Sequence, residues 1–288
     1  MQPIQFNILK CIILLLYFQA APAQESGAID ISQTYPWCIV AYDSLERTPA
    51  ERIDMIKELG FVKYAYDWRD NHLDNTSTEL KLAAENNIEI ISIWLWLNVK
   101  RDSLDHLSAS NEQIFDIVEQ MNLKTTFWVS LSENFFRDLT DEESVKLATE
   151  MIAFVTDKAK KINCRIALYN HSGWFGDPYN QLKVIQALPH SELSLVYNFH
   201  HGQKTIDDFP NIVQAIRPYL TAVNLNGMEK GGEKILTIGK GSHEKEMIEL
   251  LRKNGFEGPW GILGHVEGAD VKQVLKQNLA GLKSLKCM

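Results

Sequence analysis

Eight short apolar runs, each followed by a stretch with helical periodicity, set the limits on how this chain folds. The runs fall at residues 35–43, 61–67, 88–96, 125–130, 164–169, 193–197, 220–226 and 260–264. Helical segments follow at 48–59, 78–85, 111–121, from 141 onward, at 179–188, 209–216, 244–253 and 271–285. Strands alternating with helices in this way predict parallel βα units. Eight of them predict an α/β chain folded as a single (β/α)8 TIM barrel, whose typical length of ~250 residues this chain can supply. The first helix carries its own start signal: Thr48 as cap, Pro49 at the first helical position and Glu51 three residues after the cap. Gly60 stops it.

The first 23 residues stand apart. Lys10 precedes the apolar run at 11–18, and Ala21 and Ala23 stand at the spacing of a cleavage site. This is the pattern of a signal peptide removed after Ala23, leaving residues 24–288 as the barrel domain. The apolar run is too short to cross a bilayer as an anchor, which needs about 20 residues. The expected location is therefore periplasmic or extracellular, with no membrane partner once the leader is gone.

With 37 acidic against 29 basic residues the chain carries a net charge of −8, and no basic run stands out. Nucleic acid is thus a poor partner. Cys38, Cys164 and Cys287 remain after cleavage, and an odd number with two in strand-like runs predicts buried thiols rather than a disulfide framework.

In a barrel of this kind the chemistry sits at the C-terminal ends of the strands. Those ends carry Asp43; Asp67, Trp68 and Arg69; Trp94 and Trp96; Trp128; Asn170 and His171; Asn198, His200 and His201; Asn224 and Asn226; and His265 with Glu267. Indole faces stack on the C–H faces of a sugar, while amides, acids and imidazoles exchange hydrogen bonds with its hydroxyls. A small carbohydrate is the expected partner. Asn170, Asn198 and Asn226 are expected to hold hydroxyls, with Trp96 and the loop residue Trp174 as stacking surfaces. His171, His200, His201 and His265 at one mouth fit either acid–base work or a divalent ion such as zinc or manganese, with His171, His201 and His265 as its ligands. Asp43, Asp67, Glu229 and Glu267 are the acids nearest to complete such a site. The loop after the seventh run adds His200's expected partners in proton transfer, Glu229 and Lys230. Lys234 reads as a solvated charge. Gly239–Lys240–Gly241 before a helix is a minimal anion turn.

The segments 238–243, 247–251 and 255–259, with a Gly-x-Gly turn, a helix and a Gly-Phe-x-Gly turn before the last run, resemble the closing part of xylose isomerase-like barrels. Residues 55–61 resemble that family's first helix and second strand. The group includes sugar isomerases, sugar-phosphate epimerases and apurinic endonucleases. The resemblance implies proton abstraction beside a sugar carbonyl, as in isomerisation, epimerisation, elimination or hydration. It also implies a divalent ion held by Glu at the fifth strand, Asp-x-x-His at the sixth and Glu at the eighth. Here those positions carry Tyr169 or Asn170, then Asn198 and His201, with His265 nearest at the eighth. Two other readings stand beside the enzyme: a sugar-binding barrel that lost catalysis with its carboxylates, and a glycoside hydrolase using Glu133 and Glu229 as its carboxyl pair.

Overall fold

The computed structural model describes residues 29–97, 100–101 and 104–285; the proposed leader and Cys287 lie outside them. Eight strands run parallel: β1 (Thr34–Trp37), β2 (Lys63–Tyr66), β3 (Glu89–Leu97), β4 (Thr126–Leu131), β5 (Arg165–Tyr169), β6 (Ser194–Asn198), β7 (Leu220–Leu225) and β8 (Trp260–Leu263). They pair in sequence order from β2 to β8, and β8 pairs with β1. β1 and β2 lie side by side across the remaining seam, so the barrel is nearly closed. Around it stand α1 (Pro49–Glu58), α2 (Leu73–Glu85), α3 (Ala109–Gln120), α4 (Asp141–Lys161), α5 (Pro178–Ala187), α6 (Phe209–Ile216), α7 (Glu244–Lys253) and α8 (Val271–Ser284). The expected (β/α)8 barrel is the observed fold.

Local chemistry accounts for the element ends. Thr48 and Glu51 form the capping box at α1, with Glu51 N–H donating to Thr48 Oγ1 at 3.4 Å and Thr48 N–H to Glu51 Oε2 at 2.9 Å. Thr140 and Glu143 repeat it at α4. Caps of this kind contribute about 1 kcal/mol each. Strand β1 ends at Trp37, six residues before the predicted end. Cys38 turns into the left-handed region at φ 56°, and the buried Asp67 carboxylate draws in the N–H groups of Ile39, Val40 and Ala41. Helix α2 starts earlier than predicted, because a single 3-10 turn at Asp70–His72 feeds directly into it.

Strand alternation sends two sets of side chains in opposite directions. The outward set, such as Ile93, Leu95, Phe127, Val129 and Leu168, packs under the helices. The inward set is mostly aromatic: Tyr35, Trp37, Trp94, Trp128 and Tyr169 fill the barrel beside Ala65, Ala167 and Ala222. Trp37 meets Trp128 at 5.0 Å and Tyr169 at 5.7 Å between ring centroids. Rings this large need small neighbours. A Cβ on Gly261 would lie 2.0 Å from Asn224 Oδ1 and 2.7 Å from Tyr35, so only glycine fits that strand position. Outside the barrel, a buried ion pair between Arg52 and Glu79 at 2.8 Å, with Tyr64 donating to the same carboxylate, ties α1 and α2 to β2. Removing one partner of such a pair costs about 3–5 kcal/mol, because the other charge stays buried alone. Cys38 and Cys164 are buried free thiols, as expected.

Candidate active site

The C-terminal mouth of the barrel opens into two cavities. The first, about 930 Å³, is walled by Glu133 after β4, Asn170 to Gly173 and Gly176 to Pro178 after β5, His200 to Asp207 after β6, and Lys230 to Gly232 with Lys234 after β7. The second, about 760 Å³, is walled by Trp68, Arg69, Trp94, Trp96, Asn111 and, again, His171.

Three of the predicted histidines form a row in the first cavity. His171 and His201 stand 4.4 Å apart between ring centroids, and His201 and His200 stand 4.0 Å apart. Burial and neighbouring positive charge keep all three uncharged. Burial, then Lys234, pushes His171 down to about 4. Burial, then His200 and His171, pushes His201 far below the usual range, and burial foremost does the same to His200. His200 is 5% exposed, and its Nδ1 has no partner among the described residues. His265 stands apart from this row. Its ring stacks on Tyr42 at 3.5 Å, its Nε2 pairs with Glu267 at 3.1 Å, and it lines a third cavity of about 390 Å³ between the β7 and β8 loops.

The asparagines do different work from that expected of them. Asn170 accepts from the Asn198 N–H at 2.6 Å and donates to the Asn198 carbonyl at 3.3 Å, so its amide braces β6. The Asn198 amide donates to the Tyr169 hydroxyl inside the barrel. Asn226 donates to the carbonyls of Gly227 and Lys234 and accepts from Leu236 N–H, which shapes the β7 loop. An amide at a strand end meets its neighbour's backbone as readily as a hydroxyl. Trp174 also turns away from both cavities, donating to Asp141 at 2.8 Å and packing on Phe136 at 4.8 Å. Trp96 does line the second cavity.

In the β7 loop, Glu229 accepts from Ser242 N–H at 3.0 Å and lies outside both cavity walls. Lys230 pairs with Asp207 on the rim. Lys234 is exposed, as expected, yet it lines the same cavity as the histidine row, and its charge lowers the pKa of His171, His200, His201 and His265. Glu133 opposes it, raising His171. The signal for Lys234 in the sequence was only its place in a glycine-rich loop. The Gly239–Lys240–Gly241 turn is filled by the protein itself: buried Glu244 accepts the N–H groups of Gly239, Gly241 and Met228 at 2.9–3.0 Å. A Cβ on Gly241 would lie 2.3 Å from Met228 N.

The residues present do not fit the expected divalent ion. At the fifth-strand position the Tyr169 hydroxyl accepts from Trp37 Nε1 at 3.1 Å and from Asn198, and both groups are neutral. Asp67 and Asp43 are bound to backbone N–H groups and Arg47. Among the described residues no three His, Cys, Asp or Glu side chains group as a metal ion requires. Acid oxygens that bind hard cations are missing from the row of histidines.

A nearly closed parallel barrel with a polar, histidine-lined mouth defines a (β/α)8 protein whose site is built from its βα loops. The profile of the xylose isomerase-like TIM barrel family matches residues 48–285, and the chain belongs to that family. No curated protein matches it by sequence. Among solved structures it is similar to a 3-keto-D-glucoside 4-epimerase from E. coli, at 15% identity and TM-score 0.63, over 87% of this chain and 98% of that one. A D-psicose 3-epimerase solved with D-fructose is similar at 14% identity and TM-score 0.61, over 87% and 97%. A xylose isomerase-like protein from Mycobacterium smegmatis in complex with magnesium is similar at 13% identity and TM-score 0.53, over 91% and 97%. At these identities the likeness establishes the fold.

Proposed function

We propose that this protein is an exported sugar isomerase- or epimerase-like enzyme that moves a proton beside a sugar carbonyl. The observation that carries this reading is the row of uncharged imidazoles, His171, His201 and His200, facing the Lys234 ammonium in one cavity. A neutral imidazole has a lone pair ready for a carbon-bound proton, which a charged one lacks. His171, held at about 4 by burial and raised by Glu133 on the opposite wall, is the stronger base and takes the proton. Lys234 faces the oxygen on which negative charge builds as the proton leaves, and stabilises it. Glu133, on the opposite wall, is the second proton carrier. The epimerases among the similar structures support a sugar substrate. The neutral hydrogen-bonded pair at Tyr169 and Asn198, where the family's ligands are expected, favours a route through these side chains alone.

The same pair supports the second reading, a barrel that binds sugar without turning it over. Kinetics separate the two. On a panel of D-fructose, D-psicose, D-tagatose, D-xylose and 3-keto-D-glucose, the enzyme reading expects conversion of at least one sugar. It expects His171→Asn and Lys234→Met each to lower that rate by about 10²–10⁴-fold with the fold intact, the usual contribution of a positioned proton carrier. Saturable binding with no conversion would favour the binding barrel.

A further inference from the structure

The two cavities at the mouth share one wall residue, His171. On one side its ring faces His201 at 4.4 Å; on the other it faces Trp96 at 5.0 Å and Trp94 at 5.9 Å. The two cavities thus meet at the His171 ring. At about 930 and 760 Å³, each lobe alone is of the size that encloses a drug-sized ligand, well beyond a single sugar ring.

The second lobe is a built surface. Trp94 and Trp96 stand two residues apart on β3, so both point inward, with ring centroids 5.8 Å apart. The Arg69 guanidinium lies 4.7 Å over the Trp94 ring and is fixed by the Trp68 carbonyl at 2.6 Å and the Tyr42 hydroxyl at 3.2 Å. Asn111, 2% exposed, uses its amide nitrogen on the Trp96 carbonyl at 3.1 Å, and its Oδ1 has no partner among the described residues. The Trp94 Nε1 is likewise unpartnered. Buried polar atoms are nearly always paired in folded proteins. Those two atoms, Asn111 Oδ1 and Trp94 Nε1, are buried beneath the lobe, whose lining offers the Trp96 indole for a sugar ring to stack on and the Arg69 guanidinium as a donor to its hydroxyls.

We infer that the substrate is a glycoside of at least two rings. One sugar unit sits among His171, His201 and Lys234, and the second ring stacks on Trp96 with its hydroxyls toward Arg69. His171 lies beside the linkage between them. The inference rests on the sugar reading above and extends it from the reacting ring to the whole substrate.

Calorimetric titration with D-glucose, cellobiose, maltose and trehalose tests it. The expected result is at least one disaccharide binding about tenfold or more tighter than D-glucose, the scale of one added aromatic stack. Two variants, each verified by circular dichroism, should reduce that preference to about twofold or less. Trp96→Ala removes the stacking face. Ser110→Trp fills the lobe from the start of α3. Equal affinity for D-glucose and all three disaccharides overturns the two-ring substrate while leaving the sugar reading intact. A preference that survives both variants also overturns it. No binding of any of the four sugars overturns this inference, and the panel kinetics above then judge the sugar reading separately.

Discussion

The imidazoles of His171 and His201 face each other at 4.4 Å between centroids, one from the loop after β5 and the other from the turn after β6. Burial first, and then the neighbouring positive charges, push both rings below the usual imidazole range, which favours the uncharged pair near neutral pH. Folding therefore holds His171 and His201 uncharged where an unfolded chain would let them protonate near pH 6.5.

The sign of the pH dependence follows. The folded-state values lie below the unfolded ones, so between pH 6.5 and about 4 the unfolded chain binds more protons. Stability conferred by these groups is complete above pH 6.5 and declines as the pH falls toward 4. Urea midpoints measured from pH 7.5 to 4.5 should fall for the wild type and fall less for a His171→Gln/His201→Gln variant. Identical slopes would contradict the neutral pair.

Glu244 fills its glycine turn with a buried carboxylate that accepts three backbone N–H groups. Glu244→Ala leaves those donors without an acceptor, at a cost on the order of 1–3 kcal/mol for each one left unsatisfied. Equilibrium unfolding in urea should show a large drop in midpoint. Inorganic phosphate should not protect the wild type, since the turn is already occupied by the protein's own acid.

Metal ions give a third test. An ion present at a hundred times its Kd stabilises a folded protein by about 2.7 kcal/mol. The donor set at the mouth predicts no such effect: millimolar Mn²⁺, Mg²⁺ or Zn²⁺ should leave the Tm of metal-stripped protein unchanged. A concentration-dependent rise that disappears in His201→Asn would show that the histidines hold an ion after all.

Export is tested by the mature N-terminus. Intact mass of the protein recovered from a secreting host should match a chain beginning at Gln24. A cytoplasmic protein of full mass would contradict the cleavage expected after Ala23.

Much of the barrel is legible in the sequence because its signals are local. The Thr48–Glu51 box, the glycine stop at Gly60 and the run from Leu193 to Tyr197 each specify an element from a few adjacent residues. That histidines gather at one mouth is legible for the same reason, but the separation of His265, which turns to Tyr42 and Glu267, from the row of the other three is not. The roles of the polar tips are not legible either. Asn170, Asn198 and Asn226 have the side chain that suits a sugar, yet whether an amide meets a hydroxyl or the next strand's backbone depends on register between distant segments. Lys234 and Trp174 changed places in importance for a related reason. A loop residue's direction is set by what its loop packs on, here Asp141 and Phe136 for Trp174.

The central claim is that the His171–His201–Lys234 cavity takes a proton from carbon. Solvent exchange tests it most directly, because it registers proton abstraction even when no net product accumulates. The sugar panel, together with any disaccharide that binds and its 3-keto form, would be incubated with enzyme in D₂O and read by ¹H NMR. The account predicts loss of a carbon-bound proton signal next to the carbonyl of at least one ketose or keto-glycoside. That exchange should slow by about 10²-fold or more in His171→Asn. Tight binding of a sugar with no exchange above the buffer rate, or exchange unaffected by that substitution, would contradict it.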